Sequence, residues 1–434
     1  MLAIFDARDI FKGLESRLPR PAPLNDSPTL EVRRIIDAVI EKGDQALREL
    51  TYRFDGVALQ ELRVSPSELE EGSLRAGRDL VDALVAARDR IEAFHRHQLL
   101  EAGPYSSGGV VVEELIRPVM RAGLYAPGGR ARYPSTVLMT AVPARVAGVK
   151  EIALCVPPGA SGEIDDATLA AAVVAGVDEV YRIGGAQAIA AMAFGTESIQ
   201  AVEVVAGPGN RYVAEAQRQV AGVVGVAAGF AGPSEVVVVA DEEADPLLAA
   251  IDVVVQAEHG PDGLAWLVSW SEKVVKAVVE EVGRLAASSV RRAEIRSTLS
   301  VNGHAVLVRD AIQAMEVANA VAPEHLELHV ADPRSLLGLV QNAGAVFLGS
   351  LAPASLGDYA AGPSHVLPTN RSARFAGALR VDDFIKRIHV ISVDAAGFET
   401  LAWVVEALAD VEGLVAHSDS VRLRFNRSKE MTRG

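Results

Sequence analysis

The sequence predicts an α/β protein built on mostly parallel sheets. From about Arg121 onward, short apolar runs of strand character alternate with Ala- and Val-rich segments that begin at Gly, Pro or Ser/Thr. That rhythm is typical of βαβ units. The composition supports this class, because 50% of the residues are hydrophobic and only 5% are aromatic, which favours many tightly packed layers. A chain of 434 residues predicts two to four structural units at roughly 100–200 residues per domain.

The spacing of apolar residues predicts each element in turn. Helices are expected over 30–54 and 67–100, the second with Ser65 or Ser67 as its N-cap and with acidic residues in its first turn. Strands are expected at 152–156, 179–183, 202–206 and 235–240. A second α/β stretch has a helix over 246–259, a strand over 265–269, a helix over 272–287 and a strand over 305–308. The C-terminal helices are expected over 398–409 and 420–426.

Charge and cysteine content exclude several classes of protein. The net charge of −15 disfavours nucleic acid and anionic membranes as partners and favours cationic small molecules. Apolar runs stay shorter than the roughly 18 residues of a membrane span, and acidic residues scattered over 1–20 exclude a signal peptide. The single cysteine, Cys155, fits a reducing cytoplasm. Since it ends an apolar strand, we interpret it as a core residue rather than a nucleophile.

Three glycine turns follow predicted strands and precede predicted helices, which is the arrangement that presents backbone N–H groups to phosphates. They lie at 126–129, at Gly184-Gly185 and at 207–209. The last begins like a dinucleotide fingerprint, but Tyr212 stands where the third glycine belongs and no acidic residue follows at the expected distance. A standard Rossmann signature is therefore absent, and tight βα turns are the simpler explanation.

Four pairs of polar residues are candidates for metal or acid–base chemistry. They are Gln256 with His259 near the end of a predicted helix, Glu324 with His325 after Pro323, Asp358 with His365, and Glu412 with His417 near the C-terminus. The third pair lies within 351–370, a Gly/Pro/Ser-rich segment predicted to be an irregular loop, and a loop that long in a compact domain is usually functional. Such nitrogen and oxygen donors suit zinc, yet their spacing matches no standard zinc motif. The residues alone predict an α/β enzyme and leave metal dependence open.

At these same residues the sequence resembles the histidinol dehydrogenase family, from about Val32 to Arg424. The matching stretches are GLYAPGGRARYPSTVLM from Gly123, GGAQAIAAMAFGT from Gly184, GPGNRYVAEAQRQV from Gly207, AGPSEVVVVAD from Ala231, QAEHGPD from Gln256, APEHLEL from Ala322, GSLAPASLGDYAAGPSHVLPT from Gly349, FIKR from Phe384 and EGLVAHSDSVRLR from Glu412. So many blocks in the family's order are far more specific than a lone glycine motif.

The resemblance implies a zinc- and NAD-dependent oxidation of L-histidinol through L-histidinal to L-histidine, which uses two NAD in turn. The implied zinc ligands are Gln256, His259, Asp358 and His417. The implied substrate contacts are Ser234, Gln256, His259, Glu324, His325, Asp358, His365, Glu412 and His417. The implied NAD contacts are Tyr125, Gln187 and Asn210. His325 would be the general base of both oxidations, and Glu324 would activate the water that hydrates the aldehyde.

The resemblance also implies two incomplete Rossmann-like α/β domains with helical N- and C-terminal segments in an intertwined homodimer with shared active sites. The expected division is an N-terminal helical segment over 1–20, an α/β domain with most metal and catalytic residues over 21–124 and 236–378, a second Rossmann-like domain with the NAD contacts over 125–235, and a C-terminal segment over 379–434 that reaches the partner subunit.

Two positions depart from the family and bear on substrate preference. Ser364 stands where the family generally has Asn, and Ala228 stands where many members have Asp. The nearest rival is a related dehydrogenase such as sulfopropanediol dehydrogenase, which acts on an anionic substrate. The AGPSE and YPSTVLM blocks resemble the histidinol enzymes more closely. A non-redox metal-binding or hydrolytic protein is the rival from another class.

Overall fold

The computed structural model of the chain describes residues 2–19, 28–99, 103–128, 132–228, 232–260 and 262–431. These residues form two compact units. The larger contains residues up to 98 together with 119–384, and the smaller contains 99–118 together with the chain from 385 onward.

Strands and helices are numbered along the chain. The strands are β1 (Ala3–Asp6), β2 (Tyr105–Ser107), β3 (Val110–Pro118), β4 (Arg121–Tyr125), β5 (Glu151–Cys155), β6 (Glu179–Tyr181), β7 (Val204–Ala206), β8 (Gly225–Ala227), β9 (Glu235–Ala240), β10 (Leu264–Ser269), β11 (Gly303–Leu307), β12 (His325–His329), β13 (Ala345–Leu348) and β14 (Ile385–Val393). The helices are α1 (Leu14–Arg17), α2 (Thr29–Lys42), α3 (Asp44–Asp55), α4 (Pro66–Arg75), α5 (Arg78–His97), α6 (Pro134–Ala147), α7 (Asp166–Ala175), α8 (Gly185–Phe194), α9 (Arg211–Val220), α10 (Pro246–Ala257), α11 (Glu272–Ser288), α12 (Arg292–Asn302), α13 (Ala311–Val321), α14 (Ala354–Tyr359), α15 (Ala395–Val411) and α16 (Val415–Met431).

Two parallel sheets of the same connectivity organise the larger unit. One has five strands in the order β6-β5-β4-β7-β8, and the other has the order β11-β10-β9-β12-β13 with β1 added beside β11. All neighbours in both sheets are parallel. Counted along the chain, each set of five reads 3-2-1-4-5, which is the Rossmann order without its sixth strand.

The strands and helices owe their positions to short and β-branched side chains. The strand β9, with the sequence EVVVVA, is buried along its whole length, as a strand covered on both faces must be. Ala-rich helices such as α8 and α10 lie against these sheets, because Ala combines high helix propensity with a side chain small enough for close layers. Asn210 and Asp245 begin α9 and α10 by accepting backbone N–H groups of the first turn.

The smaller unit is an antiparallel three-stranded sheet, β14-β3-β2, with the helices α15 and α16. Its long pairing runs from Ile385 opposite Pro118 to Val393 opposite Val110. Asp394 begins α15 by accepting the N–H of Gly397. Many large apolar side chains of this unit are exposed; they include Ile388, Ile391, Trp403, Leu408, Val411, Val415 and Leu423.

The sequence-based elements are confirmed in most places. The parallel α/β fold and the strands near 152–156, 179–183, 202–206, 235–240, 265–269 and 305–308 are present within one to three residues of their predicted ends. Cys155 is confirmed as a core residue: it is wholly buried, and burial raises the pKa of its thiol to about 12. No helix of the described residues is both long and apolar enough to cross a membrane.

Several expectations are wrong in part. The helical stretches expected over 30–54 and 67–100 each consist of two helices, α2 with α3 and α4 with α5, and the second helix of each pair begins after a glycine, Gly43 or Gly77. The segment 1–20 is not simply helical, since β1 completes the edge of a sheet by pairing with β11. The segment 351–370 is not wholly irregular, since it contains α14. The C-terminal segment begins with the strand β14 rather than with a helix. At β1, α14 and β14, pairing with a distant strand or packing on a sheet decides the conformation. The spacing of apolar residues within a short segment does not reveal such partners. Gly129, from the first glycine turn, lies outside the described residues.

Candidate active site

A cavity of about 1000 Å³ in the larger unit lies between the ends of its two sheets. One wall follows the carboxyl ends of the five-stranded sheet, with Pro127 after β4 and the turn 208–212 after β7. The other wall is formed by residues that lie just before strands of the six-stranded sheet, with Ser234 before β9 and Glu324 before β12. The cavity thus lies between the carboxyl edge of one sheet and the amino edge of the other.

The pairing of β12 with β9 sets the positions of Glu324 and His325. His325 lies opposite Val236 in this ladder. The backbone N–H of Glu235 donates to Glu324 Oε2 at 3.0 Å, and His325 Nδ1 donates to the carbonyl of Glu235 at 3.2 Å. Ser234 adds a side-chain hydrogen bond to Glu324. Both adjacent side chains are therefore anchored to the first residue of the neighbouring strand.

Burial and proximity shift the pKa values of this pair. Burial raises the pKa of Glu324 to about 7, although the neighbouring His325 opposes the shift. Burial lowers the pKa of His325, but the charge of Glu324 and the hydrogen bond to Asp358 outweigh it and raise that pKa to about 9. A carboxyl group with a pKa near neutrality is a stronger base than an ordinary carboxylate and still ionises at physiological pH.

The helix α14 brings Asp358 and, through the following turn, His365 to the same cavity. Asp358 Oδ1 lies 3.2 Å from His325 Nε2, and the Asp358 carbonyl accepts a hydrogen bond from His365 Nδ1 at 2.9 Å. Because Nδ1 of His365 is the donor, its Nε2 is left to interact with the hydroxyl of Thr136, 3.2 Å away. A single short segment therefore orients two imidazoles.

Three of the four predicted zinc ligands, Gln256, His259 and Asp358, belong to the larger unit. His259 and Asp358 both line the cavity. Gln256 lies one helical turn before His259, is 2% exposed, and has a buried amide nitrogen without a hydrogen-bond partner among the described residues. Surrounding protein atoms lower the pKa of His259, which favours the neutral imidazole that a metal needs. These three donors have the chemistry of a zinc site.

The remaining predicted ligands belong to the smaller unit. Glu412 follows α15 and His417 lies in the first turn of α16, and both side chains are exposed. Neither lines the cavity described above.

The three residues predicted to contact NAD lie at the carboxyl edge of the five-stranded sheet. Tyr125 ends β4, and its buried hydroxyl accepts the N–H of Gly185 at 3.2 Å. Gln187 is buried in the first turn of α8. Asn210 is exposed, lines the cavity and accepts two N–H groups at the start of α9. The turn before it needs Gly207, with φ of 122°, because a Cβ there would overlap the carbonyl oxygen of Tyr125.

Neither of the two departures from the family lines the cavity. The hydroxyl of Ser364 donates to the carbonyl of Met139 and accepts the N–H of Val366, so this side chain holds the segment beside His365 and does not line the cavity. Ala228 has φ of 48°, in the left-handed region where Asp and Asn are favoured over Ala.

Sequence reasoning missed two participants. Thr136 lies in the YPSTVLM block. Apart from that block, no pattern in the sequence pointed to the contact between its hydroxyl and His365. Glu235 acts through its backbone, to which no side-chain pattern points.

Comparisons with known proteins agree on one family. A family model described as histidinol dehydrogenase matches residues 19–425. A histidinol dehydrogenase from Synechococcus sp. is 47% identical over 396 residues, which cover 91% of each chain. One from Moorella thermoacetica is 44% identical over 429 residues, which cover 98% of this chain and 100% of the relative. The crystal structure of histidinol dehydrogenase from Elizabethkingia anophelis superposes with a TM-score of 0.94 at 32% identity, covering 99% of both chains.

The contact between Asp358 and His325 predicts a measurable titration. In metal-free protein, Asp358→Asn should lower the pKa of His325 by about 1–3 pH units, because an opposite charge within hydrogen-bond distance favours the imidazolium. NMR titration of the histidine ring protons measures this directly. Asp262→Asn removes the same charge from the wall of the same cavity and should leave that pKa nearly unchanged. Equal shifts in both variants would contradict the specific contact.

Proposed function

Because the chain belongs to the histidinol dehydrogenase family, we propose that it oxidises L-histidinol through L-histidinal to L-histidine with NAD as hydride acceptor and one zinc ion per subunit. Family membership makes it an oxidoreductase of histidine biosynthesis, as the sequence predicted. The observation that carries the finer proposal is that the predicted base, the predicted water-activating residue and the predicted nucleotide turn all line one cavity. We also propose the cytoplasmic location and the four-part domain division at the boundaries that the sequence predicted, with the strand β1 in its first part.

The proposed proton acceptor in both oxidations is the neutral imidazole of His325, which, with a pKa of about 9, is the major form only above that pH. Each hydride transfer requires that the proton on the substrate oxygen be removed. The hydrogen bond from Nδ1 to the Glu235 carbonyl fixes that nitrogen as a donor, so Nε2 is the nitrogen that exchanges a proton. Asp358 beside Nε2 stabilises the imidazolium that results.

Glu324 is the proposed base for hydration of the aldehyde. Its carboxyl group lines the cavity next to His325, and burial raises its pKa to about 7. It can therefore take a proton from water at neutral pH and return it later. The hydrogen bonds from Ser234 and from the Glu235 backbone hold the carboxyl group in place during this exchange.

Gln256, His259, Asp358 and His417 are the proposed zinc ligands. When bound, zinc would orient the imidazole and amino nitrogens of the substrate and withdraw charge from it. Ser234, His365 and Glu412 complete the proposed substrate contacts. The carboxyl groups of Glu324, Asp358 and Asp262 line the cavity, and such acceptors suit a substrate with an ammonium group better than an anionic sulfonate.

Tyr125, Gln187 and Asn210 are the proposed contacts of NAD. Tyr125 and Asn210 follow β4 and β7, which are neighbours at the point where the strand order reverses, and nucleotides bind open α/β sheets at such points. Gln187 lies in the first turn of α8, after β6. The N-terminus of α9, with Arg211 in its first turn, also lines the cavity. Backbone N–H groups and a cation at that position suit a diphosphate.

We propose a homodimer in which Glu412 and His417 of one chain complete the site of its partner. The support is the exposed apolar surface of the smaller unit, on β14, α15 and α16, which is typical of an interface. Glu412 and His417 are exposed at the junction of those two helices.

The proposed reaction predicts a stoichiometry and a metal requirement. Purified protein should form two NADH per L-histidinol and none with sulfopropanediol. Removal of metal by a chelator should abolish the reaction, and added Zn²⁺ should restore it. The final absorbance of NADH with limiting histidinol measures the stoichiometry, and the rate at saturating histidinol measures the metal requirement. Full oxidation of histidinol by protein verified as metal-free would contradict the zinc assignment, and turnover of sulfopropanediol alone would replace the proposed substrate.

The roles of Glu324 and His325 predict different effects on the two half-reactions. His325→Ala should slow oxidation of both histidinol and added histidinal by about 10²–10⁴-fold. Glu324→Gln keeps the shape but removes the base that activates water, so it should slow histidinal oxidation far more than the first hydride transfer. Single-turnover NADH formation from each substrate measures the two steps separately. Equal slowing of both steps by Glu324→Gln would contradict the division of roles.

Shared sites predict complementation between two inactive chains. In a dimer of His259→Ala with His417→Ala, one site collects both changes and the other is intact. An equal mixture of refolded chains should therefore recover about a quarter of wild-type activity, since half of the dimers are mixed. Each variant refolded alone is the control. If no mixture recovers activity, every site is built from one chain.

A further inference from the structure

Three ionisable side chains are buried together outside the set that the sequence predicted. Asp252 of α10 is 8% exposed, and Glu327 and His329 of β12 are 1% and 3% exposed. His329 Nε2 lies 3.1 Å from Asp252 Oδ2 and 3.3 Å from Glu327 Oε2. None of the three lines the active-site cavity. One imidazole nitrogen thus connects two carboxyl groups that belong to different elements. We call these three residues the buried triad.

The strand β12 carries Glu327 and His329 of the buried triad on the same face as His325. Side chains alternate along a strand, so Glu327 follows His325 at about 7 Å and His329 at about 13 Å. Leu326 and Leu328 point to the opposite face, into an apolar cluster. The neighbours of the polar face on β9 are apolar; they are Val236, Val238 and Ala240. A single carboxyl group in such surroundings would be costly unless it had partners.

Glu327 also fixes the start of the helix that carries Asp358. Its Oε1 accepts the backbone N–H of Ala354 at 2.8 Å, at the first residue of α14. The preceding Pro353 provides no side-chain cap. A six-residue helix is too short to be stable by itself, so its position depends on such anchors. Asp358 lies in the last turn of this helix and reaches His325.

Asp252 connects the buried triad to α10. It lies four residues before Gln256, on the same helical face. Through His329, the helix that contains Gln256 and leads into His259 is therefore joined to β12, and through Glu327 to α14. These are the three elements of the larger unit that supply the proposed zinc ligands and the catalytic histidine.

The charges within the buried triad favour its cohesion. Burial lowers the pKa of His329, but hydrogen bonds to Asp252 and Glu327 outweigh it and raise that pKa to about 9. Burial raises the pKa of Glu327. At neutral pH an imidazolium thus lies between its two acceptors, and charge-assisted hydrogen bonds of this kind are among the strong ones in proteins.

Taking the proposed function as the premise, we propose that Asp252, Glu327 and His329 are positioning residues. They fix the positions of α14 and α10 relative to β12. Asp358 is thereby kept beside His325, and the proposed zinc ligands are kept close enough to bind one ion. The buried triad contacts neither substrate nor metal in this scheme, and its effect on the reaction passes through Asp358 and the α10 donors.

Substitutions of Glu327 test this role. Glu327→Leu removes the acceptor for the Ala354 N–H, whereas Glu327→Gln retains an amide oxygen that can accept it. In the holoenzyme, Glu327→Leu should weaken zinc binding and lower kcat about 10–100-fold, as loss of residues that orient metal ligands commonly does. Glu327→Gln should stay within about fivefold of wild type, and KM for NAD should change little in either. Zinc affinity is measured by competition with a chromophoric chelator.

Leu328→Ala is the matched control, because it damages the same buried strand on its opposite face. It should lower Tm while zinc affinity and kcat stay within about twofold of wild type. If Glu327→Leu folds poorly, Asp252→Leu removes the acceptor for His329 Nε2 on the other arm of the buried triad at similar side-chain size, and should weaken zinc binding in the same direction. Equal losses in Leu328→Ala, or no rescue by Glu327→Gln, would reduce the buried triad to a purely structural role and overturn the proposal.

Two further measurements separate this inference from its premise. Metal analysis should find one zinc per wild-type subunit; a second ion, lost in Glu327→Leu with the first retained, would make the buried triad a metal site and overturn the positioning role. In metal-free protein, Glu327→Leu should raise amide exchange in α14 at least about tenfold relative to α11. Wild-type protein that binds no zinc would refute the proposed function, and the exchange result would still decide whether the buried triad holds α14.

Discussion

The register of β12 on β9 is the constraint on which the catalytic cavity depends. With His325 opposite Val236, both backbone groups of Glu235 serve the site: its N–H holds Glu324 and its carbonyl holds His325. A slip of one residue would turn His325 toward the opposite apolar cluster and would bring a leucine to the cavity face. The valines of β9, which pack against α10 on the same face, make such a slip costly. The reactive pair is therefore positioned by core packing rather than by a flexible loop.

Burial gives this pair its chemistry and also its cost. Removing Glu324 from water raises its pKa toward neutrality, which makes it a useful base, but leaves a carboxyl group that needs partners when it ionises. Ser234, the Glu235 backbone and His325 supply them. The same logic continues along β12 in the buried triad, where two carboxyl groups share one imidazole. Polar side chains on a strand face inside a core need partners of this kind, because an unpaired buried charge is costly.

The sequence predicted the family, the enzyme class and the parallel α/β fold, and the comparisons confirm them. Its success came from motif blocks and from runs such as EVVVVA, whose periodicity is local. It failed at β1 and β14, because their conformation depends on partners that lie far along the chain. The individual site residues stay predictions. No pattern pointed to Thr136 or to the backbone of Glu235, because their roles arise from contacts between segments. The joining of Asp252 to His329 was equally hidden, since a helix residue and a strand residue 77 positions later meet only in the fold.

The two sheets have the same connectivity but contact the cavity with opposite ends of their strands. In the five-stranded sheet the cavity lies at the carboxyl ends, where βα turns present backbone N–H groups and where nucleotides usually bind. In the six-stranded sheet it lies at the amino ends, where segments leave helices and enter strands. Side chains such as Glu324 enter the cavity there because the chain turns into β12 at that point, after Ala322 in a left-handed conformation and Pro323. The proposed nucleotide contacts and the proposed proton chemistry therefore belong to different sheets. The third glycine that is missing from the turn 207–212 therefore gives little information about Glu324 and His325. Their positions depend on the pairing of β12 with β9, in the other sheet.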